Sequence, residues 1–383
     1  MKMKKLGIIT LHFIPNYGAV LQSYALKEVL QSYCDVEIID YRQLSKEKNI
    51  SPKMYLKAVI SSHRIIDILK FPIRAYKIRY LTNFRKQLLR FYSEKLNLTK
   101  QIEKKELYKL NGTYEGIVVG SDQVWSPSVL AGEYTLLLDF YRNKKYSYAS
   151  SLGVKSIPSG EIEIYQENLK LFTCLSCRED VGTKLINSIL EDKICRTVLD
   201  PTLLLTRDEW KKKCCSNNIK NKDGILVYLA KYEKNILNIA KKLQHISNNC
   251  TLIATPEVYR RLGRNERENW LYNISPEEWI EYFDKAGMVL TNSFHGIAFS
   301  INFNKQFYTC FHDAADINGT NSRMENILEI FGLQSRNIAD ISQIKSNDFI
   351  DYKSVNKVLK KEREKSFDYI NIIINDFKNE NEC

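Results

Sequence analysis

Residues 7–30 read GIITLHFIPNYGAVLQSYALKEVL, and this stretch decides the fold. Gly7 to Leu11 is a short apolar run, the signature of a buried strand. The loop HFIPNYGA follows. A helix is predicted from about Val20 to Tyr33, with Val20, Leu21, Tyr24, Ala25 and Leu30 on its apolar face. Val36 to Ile39 reads as the next strand and ends at Asp40. A strand–loop–helix–strand unit of this length implies parallel strands in a Rossmann-like layer.

The same alternation continues along the chain. Gly116–Val119 is a buried strand that leaves the sheet at Gly120-Ser121-Asp122, and Lys144–Ser150 is another. Leu171–Cys177 and Thr197–Leu199 read as further strands, the latter stopping at Asp200-Pro201. Strands then restart at Ile225–Leu229, Thr251–Ala254 and Met288–Thr291, and Ser275 with Glu278 forms a capping box for a helix at Pro276. The expected architecture is two Rossmann-like α/β domains. Residues 1–206 form the first, with a helical basic insertion at about 51–97. Residues 207–223, polar and lysine-rich, form a crossover linker. Residues 224–350 form the second domain, and 351–383 a C-terminal helix able to pack on either domain.

Bulk properties agree. A chain of 383 residues, 44% hydrophobic and 27% charged, is globular and long enough for two cores. The start, MKMKKLGIITLHF, has an apolar run too short for a signal peptide, and no stretch reaches the length of a membrane helix. A cytoplasmic protein is expected. Nine scattered cysteines read as free thiols, and the lone C-x-x-C at Cys174 and Cys177 lacks the second pair that a structural zinc needs. Neither metal nor organic cofactor is expected.

The net charge of +12 is uneven: ten basic residues lie between Lys53 and Arg90, opposed by Asp67 alone. Apolar residues interleave at helical spacing, with Pro72 as a kink or break. This reads as a solvated face or as a peripheral contact with an anionic membrane. Without a recognised nucleic-acid motif, nucleic-acid binding is not expected.

Ligands in open α/β sheets bind at the carboxyl ends of strands, which points to three loops. The first supplies Asn16, Tyr17, Gly18 and, on its helix, Gln22; the second supplies Ser121, Asp122, Gln123 and Trp125. The third supplies Asn292, Ser293, His295 and Gly296, placing a histidine suited to proton transfer where the second sheet opens. Arg178 and Arg323 are suited to a bidentate grip on phosphate or carboxylate. Arg178 can equally pair with its neighbours Glu179 or Asp180, and Arg323 can be a solvated loop charge.

Together with VVGSDQVWSP, YSYASSLG, SCREDVGTKLI, VLDPTLLL and SPEEWIEYFDKAGMVLTNSFHGIAFS, the opening block resembles the polysaccharide pyruvyl transferase family. The blocks run in the family's order from residue 7 to about 300. The resemblance implies a GT-B-like fold and an enzyme that transfers pyruvate from phosphoenolpyruvate, as a ketal, onto a glycan of a cell-surface polysaccharide or its lipid-linked precursor. It implies His295 as the proton donor and Arg178 as a clamp on the anionic donor. Some members carry arginine two positions before the histidine. Here that position is Ser293, which leaves Arg323 as the candidate replacement. A nucleotide-sugar glycosyltransferase of the same fold and a non-catalytic glycan-binding member are the alternatives. Domain closure on binding is expected of a two-domain cleft.

Overall fold

The computed structural model describes residues 4–42, 71–214, 219, 223–311, 321–345 and 347–379, with only the backbone of 71–79. The first half of the basic region, Lys53 to Lys70, lies outside the described residues. Its second half is a helix, Phe71–Phe91, with Pro72 in the first described turn.

Two parallel sheets carry the molecule. The first has the order β2-β1-β3-β4, built from β1 (Lys5–Ile9), β2 (Asp35–Ile38), β3 (Gly116–Val119) and β4 (Lys144–Ser147). A parallel pair, β5 (Leu175–Cys177) and β6 (Cys195–Thr197), adjoins β4 through bridges Tyr146–Cys174 and Ser150–Cys177. The second sheet has the order β11-β10-β7-β8-β9. Its strands are β7 (Ile225–Leu229), β8 (Cys250–Ala254), β9 (Trp270–Leu271), β10 (Met288–Thr291) and β11 (Gln306–Thr309). Strand order reverses beside β1 and β3 in the first sheet, and beside β7 and β10 in the second. Crevices open at such switch points. Here the loops after those four strands face one another.

The first helix, Tyr17–Gln31, begins at Asn16, whose side chain accepts from Gly18 N. The capping box of Ser275 and Glu278 is formed on Pro276–Lys285.

Within residues 207–223, Arg207–Cys214 forms a helix. Its lysines hide a minimal apolar face of Trp210 and Cys214, one helical turn apart and both buried. Trp210 packs against Tyr24 of the first helix and Phe299 of the second half. The two sheets in fact share one continuous core, running from Leu6 and Ile8 of β1 to Leu226 and Tyr228 of β7. Tyr17 stacks on Trp279 across this boundary. A large apolar interface of this kind restrains relative domain motion, so the closure expected from the sequence has little room as a rigid-body hinge.

The C-terminal helix, Tyr352–Lys378, packs on both halves rather than one. Tyr352 Oη donates to Ser300 O and Lys305 O of the second half. Further along, Tyr369 Oη donates to Ser147 O and Tyr146 Oη to Asp376 on the first sheet.

Lys305 is buried beside this helix and donates to Asp284 O at 2.6 Å. Burial, with Arg207 nearby, pushes its ammonium down to about 8. Between that value and the ordinary lysine range, the unfolded chain holds the extra proton, so this group makes stability rise with pH. Urea titrations of wild type and Lys305→Met from pH 7.5 to 10 should show wild type gaining stability relative to the variant. A constant difference across that range would contradict this account of Lys305.

Candidate active site

A cavity of about 270 Å³ lies where the four switch-point loops meet. The β1 loop contributes Leu11, Ile14 and Asn16; the β3 loop contributes Asp122 and Gln123. From the second half come Ala230 and Lys231 after β7, and Asn292 to His295 after β10. Arg323 and Met324 close the wall.

The β10 loop is set by short local bonds. Asn292 Oδ1 accepts from Ala230 N at 2.9 Å and its Nδ2 donates to Lys231 O at 2.9 Å, tying the β7 and β10 loops together. Ser293 caps the helix Phe294–Asn302 by accepting from Gly296 N. Gly296 is required by contact: a Cβ there would lie 2.3 Å from Thr291 Oγ1. The helix start therefore holds His295 at the cavity wall, only 6% exposed. One face of the imidazole lies against Gly18, where a Cβ would come within 2.0 Å of Nδ1.

Asp200 is the electrostatic centre. Its Oδ1 accepts from Thr202 N and Thr202 Oγ1, at 3.0 and 2.7 Å. Its Oδ2 takes Arg178 Nη1 at 2.7 Å and Ser121 Oγ at 3.2 Å, and lies 3.7 Å from His295 Nε2. Burial alone would raise this carboxyl, but His295 and Arg178 outweigh it and hold it far below the carboxylate range. Asp122 is lowered in the same way: burial opposes, and Arg178, His295 and Arg323 prevail.

Arg178 is held by carboxylates distant in the sequence. Its partners are neither Glu179 nor Asp180. Nη1 bonds Asp200, Nη2 bonds Asp122 at 3.2 Å, and the guanidinium lies 4.2 Å over the Phe294 ring. Only 3% of the residue is exposed, and it lies behind the cavity wall rather than in it. Glu179 turns the other way and accepts from Ser151 Oγ, Leu152 N and Gly153 N.

Arg323 is the guanidinium that lines the cavity. It is not a solvated loop charge: it sits on the helix Ser322–Phe331, its side chain 14% exposed, with Nη1 4.0 Å from Asp122. Burial, with Arg178 close by, lowers its affinity for its proton. Among the described residues, three buried atoms of this cluster lack a partner: Arg323 Nε, Arg178 Nε and His295 Nε2. Such atoms are costly unless something satisfies them.

The remaining sequence candidates divide. Gln22 is buried and braces the floor, its Oε1 accepting from Ser121 N and its Nε2 donating to Thr10 Oγ1. Ser121 is buried behind Asp200, while Gln123 lines the cavity. Two candidates prove to be core. Trp125 is fully buried, with Nε1 donating to Leu136 O. Tyr17 is fully buried, with Oη donating to Ile274 O. An aromatic beside a polar strand-end loop packs inward as readily as it faces a ligand, and local sequence does not separate the two outcomes.

Asp200, Lys231 and Glu257 were missed. In the sequence Asp200 stands out only as the residue at which the predicted strand Thr197–Leu199 stops; its placement between Arg178 and His295 is a tertiary fact. Among the described residues no group of His, Cys, Asp and Glu converges as a metal site, and no helix is long and apolar enough to cross a membrane.

Two Rossmann-like layers with facing switch-point loops define a two-domain α/β protein of the GT-B type. The solved structures agree at the level of fold. A UDP-N-acetylglucosamine 2-epimerase superposes with a TM-score of 0.55 at 11% identity, over 100% of this chain and 98% of that one. A putative UDP-N-acetylglucosamine 2-epimerase from Listeria monocytogenes gives 0.46 at 10% identity, over 94% and 95% of the two chains. An E. coli heptosyltransferase gives 0.39 at 10% identity, over 94% and 99%. Only the first is near enough to bear on architecture. No curated protein sequence matches the chain. The sequence model described as polysaccharide pyruvyl transferase matches residues 16–311, and the chain belongs to that family.

Proposed function

We propose that the protein transfers a pyruvyl group from phosphoenolpyruvate, as a ketal, onto two hydroxyls of a glycan in a cell-surface polysaccharide or its lipid-linked precursor. The observation that carries this reading is the meeting of His295 and Arg323 at one small cavity, each with a buried unpartnered side-chain nitrogen, and with the Asp200 carboxylate 3.7 Å behind the imidazole. Phosphoenolpyruvate is a compact dianion or trianion whose C3 must be protonated before C2 becomes electrophilic. Arg323 and the helix start at Ser293–His295 suit its anionic groups.

In this reading His295 acts as general acid, with Asp200 stabilising the imidazolium. Protonation at C3 converts the alkene to a methyl group and leaves cationic character at C2. The first acceptor hydroxyl adds to C2 and loses its proton. Phosphate then departs with the C–O bond electrons, and the second hydroxyl closes the ketal with loss of its own proton. Ser293 occupies the place of an arginine found in some relatives. Arg323, reaching the cavity from a separate helix, supplies the missing charge.

The test is a melting-point measurement on wild type, Arg323→Gln and His295→Asn. Phosphoenolpyruvate should raise the melting point of wild type and of His295→Asn, because a ligand that binds only the native state stabilises it. Arg323→Gln should lose that shift while keeping its ligand-free melting point near wild type. A shift with uridine diphosphate but none with phosphoenolpyruvate would transfer the assignment to a nucleotide-sugar glycosyltransferase.

A further inference from the structure

A second cavity, of about 330 Å³, adjoins the first and opens to solvent. Ile14, Asn16, Ala230 and Glu257 line both, so the two spaces share a wall. Both halves of the molecule build it. Pro15 and Leu81 come from the first half; Thr255, Pro256 and Arg260 come from the loop and helix after β8. Leu81 lies on the helix Phe71–Phe91, the described end of the basic region. That helix therefore forms part of a site wall, a role its charge pattern does not announce.

The chemistry of the lining is mixed in a particular way. Pro15, Leu81 and Pro256 offer apolar surface, while Asn16, Glu257 and Arg260 offer polar edges. Asn16 spends its Oδ1 on Gly18 N, and among the described residues its Nδ2 has no partner. Glu257 uses Oε1 to pair with Arg261 at 2.9 Å and stands about half exposed. Tyr80 and Tyr259 precede Leu81 and Arg260 in the chain. They form a half-buried aromatic cluster with Tyr272, Tyr259 and Tyr272 stacking at 4.0 Å. Apolar faces bordered by hydrogen-bonding groups match a pyranose, which has C–H faces and hydroxyl edges.

We propose that this second cavity is the acceptor subsite, taking one sugar ring with the rest of the glycan leaving through its open side. Ketal transfer demands that two acceptor hydroxyls reach the donor carbon. The acceptor ring must then sit in a space that touches the donor cavity, and a polymeric or lipid-linked acceptor needs an exit. Glu257, on the shared wall, is placed to accept a hydrogen bond from the hydroxyl nearest the donor. The proximity requirement rests on the pyruvyl-transfer reading. The match to a sugar ring rests on the cavity itself.

Saturation-transfer NMR on the full chain tests this, using the methyl glycosides of glucose, galactose, mannose, N-acetylglucosamine and N-acetylmannosamine as probes. Wild type should transfer magnetisation to at least one of them. Leu81→Trp, which fills the cavity, should reduce that signal at least tenfold, and Glu257→Gln should weaken it several-fold. Leu81→Trp, which touches only the second cavity, should keep the phosphoenolpyruvate melting-point shift. Binding that survives both substitutions, or no binding of any glycoside to folded wild type, would overturn the assignment. If glycoside binding is lost in Leu81→Trp but phosphoenolpyruvate never binds wild type, the donor reading falls and the sugar subsite stands. The reverse pattern sinks the subsite alone.

Discussion

Replacing Arg178 with Met should cost about 3–5 kcal/mol of stability, the usual penalty for leaving a buried charge without its partner. The guanidinium is nearly inaccessible and holds two carboxylates, Asp200 at 2.7 Å and Asp122 at 3.2 Å. Methionine matches much of its length and retains contact with Phe294, so packing loss is small. What remains is electrostatic: two ionised groups facing each other in a desolvated space. The second substitution Asp200→Asn should therefore recover a sizeable part of the loss, because it removes one of the stranded charges. Denaturant unfolding of the single and double variants reads this directly. If Arg178→Met loses less than about 1 kcal/mol, or if Asp200→Asn makes matters worse by its full separate cost, the ion pairs are not what holds this region. Such an outcome would return Arg178 to the role of a ligand clamp.

Gly18→Ala should leave a folded protein that has lost most of its turnover. Alanine is better than glycine inside a helix by about 1 kcal/mol, and this position lies in the first turn of Tyr17–Gln31. By propensity alone the change stabilises. The added Cβ, however, would fall 2.0 Å from His295 Nδ1 and 2.3 Å from Cγ. The imidazole must swing aside, and its separation from Asp200 changes with it. Misplacing a catalytic group by an ångström costs on the order of 100-fold in rate. The expected result is a kcat reduced by about that factor, with the phosphoenolpyruvate melting-point shift retained. A kcat within threefold of wild type would mean that His295 tolerates the displacement and is not the proton donor.

Much of this architecture was legible because it is local. The opening strand and helix, the Asn16 cap and the Ser275–Glu278 box all depend on residues within a few positions of one another. The position of His295, just after an apolar strand and before a helix, pointed to the cavity for the same reason. The misreadings have a common physical origin. Arg178 has acidic neighbours at the next two positions, yet it pairs with carboxylates 56 and 22 residues away. No local pattern carries that information. Trp125 and Tyr17 lie beside polar turns that make them candidates for ligand contact, but Tyr17 packs into the core shared by the two sheets and Trp125 into the separate core of the first half. The helix Arg207–Cys214 was hidden by lysines on its solvent side. Arg323 could be named from sequence as a cation of interest, but its reach toward Asp122 comes from the way the Ser322–Phe331 helix packs.

The C-terminal helix carries a consequence for biogenesis. It begins against the second sheet at Tyr352 and ends against the first at Tyr369 and Asp376. During synthesis the amino-terminal sheet thus emerges with one flank bare, and it stays so until every strand of the second sheet has been translated. The cavity beside His295, which needs loops from both sheets, is complete only after the second sheet has formed. Until the C-terminal helix docks, Tyr146 and Tyr148 lack the partners, Asp376 and Tyr369, that they meet in the folded protein.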